Sequence, residues 1–143
     1  MLRSLVLLLA LCAVPVAAQH SLSSLTAEDA RALQAAGEIV LIDIRQPEEW
    51  REIGVAEGAV RISMAHPEGG PGFLRDLLAA VGDDTDAAVV LICRTGNRTS
   101  QVVPALQRWG FTRVYHIPEG MLGSSFGPGW IRAGLPVEDC AHC

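Results

Sequence analysis

Residues 88–98, Ala-Val-Val-Leu-Ile-Cys-Arg-Thr-Gly-Asn-Arg, constrain this chain more than any other stretch. The apolar run stops abruptly at Cys93. Five polar, cationic or glycine residues follow, and helical spacing begins after them. A short, continuously apolar, β-branched run reads as a strand buried on both faces, as in a parallel sheet covered by helices. Sites in such sheets lie beyond the carboxyl ends of the strands. Cys93 stands at such an end, flanked by Arg94 and Arg98, where core filling explains a thiol poorly and a nucleophilic role explains it well.

The rest of the chain repeats the alternation. Thr26 is an N-cap with Asp29 three residues on, and the helix it opens stops at Gly37. Ile39–Ile44 reads as a strand, and Pro47 opens a brief helix through Trp50. Residues 54–59 read as a turn, Val60-Arg-Ile as a strand, and residues 66–72 as a Pro/Gly-rich loop. Phe73–Val81 has helical spacing, residues 83–86 form a polar turn, and Val89–Ile92 is the next strand. Thr99–Trp109 is expected as a helix with Val102, Val103, Leu106 and Trp109 inward; Pro104 inside it predicts a kink. Val114–Ile117 is a fourth strand. The fold class is α/β, with a mainly parallel sheet flanked by helices on both faces.

The 143 residues suit one domain. Arg3, the apolar run Leu5–Val14 and the small residues Val16-Ala17-Ala18 read as a secretory signal peptide over residues 1–18. Residues 19–143 then form the domain, in a periplasmic or secreted location, without stable membrane insertion after cleavage. The formal net charge of −5 and the lack of basic runs exclude nucleic acid as the expected partner. Of four cysteines, Cys12 leaves with the signal. Cys140 and Cys143 are close enough to pair, which leaves Cys93 as an unpaired thiol in an oxidising compartment.

A thiolate is the nucleophilic form of cysteine, and helix N-termini and cations favour it. The Cys93 loop supplies Arg94, Arg98 and a following helix N-terminus, while Gly96 allows backbone amides to converge on one point. The result is an anion cradle with a sulfur at its centre.

Cys93-Arg94-Thr95-Gly96-Asn97-Arg98 resembles the active-site loop of the rhodanese-like sulfurtransferases. Three further segments carry the same resemblance: Leu41-Ile-Asp-Ile-Arg-Gln-Pro-Glu-Glu-Trp, Gly54-Val-Ala-Glu-Gly-Ala and Gly129-Trp-Ile-Arg-Ala-Gly-Leu-Pro-Val. Val55 and Glu57 depart from the family's usual His and Pro, and residues 119–128 are longer and richer in glycine than usual. The resemblance implies a rhodanese-like fold and a persulfide carried on Cys93, with Arg94 and Arg98 attracting an anionic donor. It also implies that the amides of Thr95, Gly96, Asn97 and Arg98 hold the persulfide. The implied partners are a small anionic sulfur donor, such as thiosulfate, and a thiol or cyanide acceptor. No cofactor is required, and no protein partner can be read from the residues.

Two alternatives stay open. A cysteine phosphatase or arsenate reductase would want Cys-x5-Arg, a loop sized for phosphate, whereas Cys93 to Arg98 is Cys-x4-Arg. A non-catalytic binding or sulfur- and redox-sensing module is the other. Asp43 and Arg45 are expected as loop support, a buried pair rather than substrate ligands. Glu48 and Glu49 are expected as a solvated helix start, and Trp130 as core. His66 and His116 have no partner spacing for a metal. Cys140-Ala-His-Cys143 is expected to be an exposed disulfide or redox pair, and no metal site is completed by its neighbours.

Overall fold

The computed structural model describes residues 23–143, so the expected signal peptide and Cys12 lie outside the described residues. Four strands pair in parallel in the order β3-β1-β4-β5: Val60–Arg61 (β3), Val40–Asp43 (β1), Val89–Ile92 (β4) and Val114–His116 (β5). Asp43 is in register with both Arg61 and Ile92, and Leu91 with His116. The carboxyl ends of all four strands therefore share one edge, and Cys93 follows directly from it.

Each face of the sheet is covered. Ile42, Ile44, Val89 and Leu91 pack with Phe73 and Leu77 of α3 (Gly69–Ala80) and with Val102, Val103 and Leu106 of α4 (Asn97–Arg108). Leu41, Val90 and Ile92 pack on the opposite face with Ala27 and Ala30 of α1 (Ala27–Ala35) and Trp130 of α5 (Gly129–Arg132). Both faces of β1 and β4 exclude water, which is why their sequences do not alternate. Trp130 is fully buried and donates its indole N–H to the Pro136 carbonyl at 2.8 Å.

The expected elements form, with instructive differences. Thr26 Oγ1 accepts the Asp29 amide at 3.1 Å and caps α1. α3 starts at Gly69, inside the stretch expected as a loop, because Pro71 falls within its first turn, where a missing N–H costs nothing. Helix α4 starts two residues earlier than expected and runs through Pro104. Trp109, expected inward, caps α4 and is 43% exposed. The helix begun by Pro47, α2 (Pro47–Ile53), is longer than expected. The expected turn after it contains a short strand, β2 (Val55–Ala56), paired antiparallel with β6 (Val137–Glu138). β2 is two residues long and its partner lies about eighty residues on, so nothing local marks it as a strand.

Candidate active site

The Cys93 loop is shaped by glycine. Gly96 has φ +85°, caps α4 from the left-handed region, and has no room for a side chain: a Cβ there would collide with the Pro118 carbonyl oxygen. A Cβ at Gly120 would likewise collide with the Arg94 backbone. The loop is also pinned from behind. The Met121 amide donates to the Cys93 carbonyl at 2.9 Å, and the Leu122 amide to the Arg94 carbonyl at 3.0 Å.

The glycine-rich stretch 119–128 therefore braces the loop. Buried Glu119 holds it. Its carboxylate accepts the Ala27 amide at 2.6 Å and the Gly129 amide at 2.9 Å, tying α1 and α5 together.

Cys93 is a free cysteine, 1% exposed, at the end of the core cluster on the α3/α4 face. The Gly96 N–H donates to its sulfur at 3.2 Å. The α4 N-terminus begins at Asn97, so the positive end of the helix dipole meets the same point.

The two loop arginines are not free. Arg98 makes a bidentate pair with Glu49 at 2.5 and 2.6 Å, and Arg94 pairs with Glu52 at 3.1 Å and Glu49 at 3.7 Å. Glu49 is thus not the solvated helix start that its position suggested: its side chain is 16% exposed and bridges α2 to the loop. The Arg98 guanidinium holds the Glu49 carboxyl below its ordinary range. Glu48 does remain at the surface, paired with Arg51.

Asp43 and Arg45 form a fully buried pair, with Arg45 Nη2 2.6 Å from Asp43 Oδ2. Arg45 also donates to the Glu49 carbonyl at 3.2 Å and the Gly54 carbonyl at 2.6 Å. The pair therefore anchors α2, and α2 in turn carries the two glutamates that hold the loop arginines.

One contact was not legible in the sequence. His116, at the end of β5, places Nδ1 3.0 Å from Thr99 Oγ1, and Thr99 Oγ1 lies 3.9 Å from Cys93 Sγ. A cleft of about 530 Å³ opens beside the loop, lined by Thr95, Asn97, Ser100 and His116 on one side and Ser124 and Phe126 on the other. No carboxylate or guanidinium is among its described lining residues.

Burial pushes the His116 imidazole below its ordinary value. The unfolded chain then takes up a proton before the folded one as pH falls below about 6.5, so His116 makes folding less stable from that pH downward. Glu49 adds a loss that starts as pH falls through 4.5 and is complete once its depressed carboxyl protonates. Denaturant unfolding across pH 8 to 5 should show stability falling with acid, with the first step flattened in His116→Asn. A wild-type profile unchanged in that variant would contradict the assignment.

Cys140 and Cys143 are joined by a disulfide. Arg61 Nη1 lies against both sulfurs, and Arg51 donates to the Cys143 carbonyl at 2.7 Å. Cys140 packs on Trp50 and Val55, in a cluster separate from the one that holds Cys93. The structure does not bring this pair to Cys93.

A parallel α/β sheet that ends in a cysteine held by a loop amide and a helix N-terminus defines a class of cysteine-centred anion-cradle domains. Within that class, residues 26–124 match the Rhodanese-like domain, and the chain belongs to this family. It is 28% identical over 100 residues to a sulfurtransferase of Allochromatium vinosum, covering 70% of this chain and 78% of that one. It resembles the polysulfide-sulfur transferase homodimer of Wolinella succinogenes, with 31% identity, TM-score 0.62, and coverage of 85% of this chain and 81% of that one. It also resembles a Rhodopseudomonas palustris protein of unknown function described as a possible tyrosine phosphatase, with 28% identity, TM-score 0.55, and coverage of 82% and 85%.

Proposed function

We propose that the protein is an exported sulfurtransferase, periplasmic or secreted, that carries sulfur as a Cys93 persulfide. The Cys93 thiolate attacks the outer sulfur of thiosulfate or a similar donor. The donor's S–S bond breaks, and sulfite leaves with the electron pair. A thiol, or cyanide in an assay, then attacks the outer persulfide sulfur, and the Cys93 thiolate departs. Amides of Thr95, Gly96, Asn97 and Arg98 stabilise the anionic persulfide. The observation that carries this reading is a buried, unpaired Cys93 at a strand end, with the Gly96 amide on its sulfur and a helix N-terminus beside it.

Incubation with thiosulfate should add the mass of one sulfur to Cys93, and cyanide should release it as thiocyanate. Cys93→Ser should lose both signals while keeping the wild-type unfolding transition. Absence of adduct and product in the wild type would sink the reading. Hydrolysis of an aryl phosphate would instead favour the phosphatase, whose longer loop and free arginine this chain does not supply: four residues separate Cys93 from Arg98, and Arg98 is held by Glu49.

The pairing of both arginines with glutamates bears on the donor. Two guanidinium charges are offset by two carboxylates, so a small dianion meets a field weaker than the loop sequence implies. Glu49→Gln removes one carboxylate charge and keeps a side-chain oxygen able to accept the Gln46 amide. It should raise kcat/KM for thiosulfate about 5-fold at low ionic strength, equivalent to about 1 kcal/mol, with the gain shrinking in high salt. An unchanged or lower value would show that the released arginine does not meet the donor.

A further inference from the structure

The sulfur of Cys93 is buried, and two polar groups reach it: the Gly96 amide at 3.2 Å and the Thr99 hydroxyl at 3.9 Å. The hydroxyl has one proton and two lone pairs. It donates to the Gly96 carbonyl at 2.8 Å and so must accept at its other contact, His116 Nδ1 at 3.0 Å. That assigns the Nδ1–H tautomer to His116. Nε2 is then the acceptor, 3.4 Å from Ser24 Oγ.

We propose that Thr99 is a catalytic hydrogen-bond donor to the anionic sulfur of Cys93, and that His116 is the positioning residue that directs it. With the thiol protonated, S–H can donate to Thr99 Oγ1 while the hydroxyl serves the Gly96 carbonyl. When the thiol gives its proton to solvent, the hydroxyl turns its own proton from that carbonyl to the sulfur. His116 Nδ1–H still fills an oxygen lone pair, so the chain runs imidazole N–H to hydroxyl to thiolate. Hydrogen bonds linked in this way polarise one another, and bonds to an ion are the stronger kind. The same donor serves the persulfide after sulfur loading, and in that respect the inference rests on the proposed function.

The surroundings suit a neutral donor. His116 is paired in register with Leu91 of β4, meets Thr99 of α4, and meets Ser24 ahead of α1. None of these is charged, and burial favours the neutral ring. Glu119, the acidic group closest to His116 along the chain, is turned to the amides of Ala27 and Gly129. On the sulfur side the charged groups are Arg98, paired with Glu49, and Asp43, paired with Arg45. A carboxylate accepts and has no proton to give, so neither replaces the hydroxyl as a donor to the sulfur.

The test reads the sulfur directly and does not need turnover. Cys93 alkylation by iodoacetamide is followed by intact mass and peptide mapping from pH 5.5 to 9.5, in wild type and in variants whose thermal transitions are checked. Thr99→Val should slow alkylation near neutral pH about 5- to 10-fold and move the profile to higher pH, with Thr99→Ala as the backup variant. Thr99→Ser should restore the rate to within about 2-fold. His116→Ala should slow it several-fold. His116→Asn, whose amide nitrogen can sit near Nδ1, should recover most of the loss, and His116→Gln, which reaches toward Nε2, should not. Coincident profiles for wild type and folded Thr99→Val or Thr99→Ala would overturn the proposal. So would His116→Asn performing no better than His116→Ala. Absent sulfur transfer with these alkylation differences intact would instead count against the proposed function alone.

Discussion

Gly96→Ala should abolish persulfide formation although every side chain that contacts sulfur is retained. The residue sits at φ +85°, where a Cβ costs on the order of 1–3 kcal/mol by backbone strain alone. The added methyl also meets the Pro118 carbonyl, a backbone group pinned by its own segment, and so cannot be relieved by a rotamer change. Either the loop retreats from residues 118–122 or Gly96 leaves the left-handed region. Both movements take the Gly96 amide off Sγ and break the Met121 and Leu122 amide bonds to the loop carbonyls. The expected measurement is loss of the one-sulfur adduct by mass spectrometry, with an unfolding transition that is lowered but still cooperative. A loaded persulfide at the wild-type rate would show that the amide cradle is not needed.

Arg45→Met should cause the largest loss of stability, about 3–5 kcal/mol, because it leaves the Asp43 carboxylate buried without its countercharge. Both side chains are fully buried, and Arg45 also serves the Glu49 and Gly54 carbonyls. The loss is large against the 5–15 kcal/mol typical of a domain, at roughly that order of total stability. Denaturant unfolding would measure it. The double variant Asp43→Leu/Arg45→Met should regain much of the loss, because it removes the orphaned charge along with its partner. An Arg45→Met protein as stable as wild type would mean that the carboxylate is neutralised in another way.

The parts of the site that were legible in the sequence are those whose physics is local. Val89–Ile92 was bounded correctly because four apolar residues end at a run that cannot be buried. The position of Cys93 at the strand end is legible because the apolar run stops there. Asp43 and Arg45 were identifiable as mutual partners because they stand two apart beside a strand with no water-facing side. Glu49 was misread because a carboxylate in the first turn of a helix is already explained by the helix dipole, and Arg98 lies 49 residues away. His116 carries no signal of its role in the sequence, because no partner stands at ligand spacing from it. Its partner Thr99 lies 17 residues back and meets it only when β5 pairs with β4 and α4 folds over them. The β2/β6 pair is illegible for a similar reason: neither strand is long enough to show a period, and about eighty residues separate them.

The sequence by itself determined the α/β alternation, the placement of a thiol at the edge of a buried strand, and the glycine that lets the following loop turn tightly. Each follows from burial, capping or backbone freedom within a few residues. Only the tertiary structure decided the electrostatic character of the site. It set Glu49 and Glu52 against the two arginines, Thr99 and His116 behind the sulfur, and the Cys140–Cys143 disulfide in a cluster apart from Cys93. Charges and hydrogen bonds act over a few ångströms in space. The residues that surround Cys93 therefore become its neighbours only after the sheet and its covering helices have brought distant segments together.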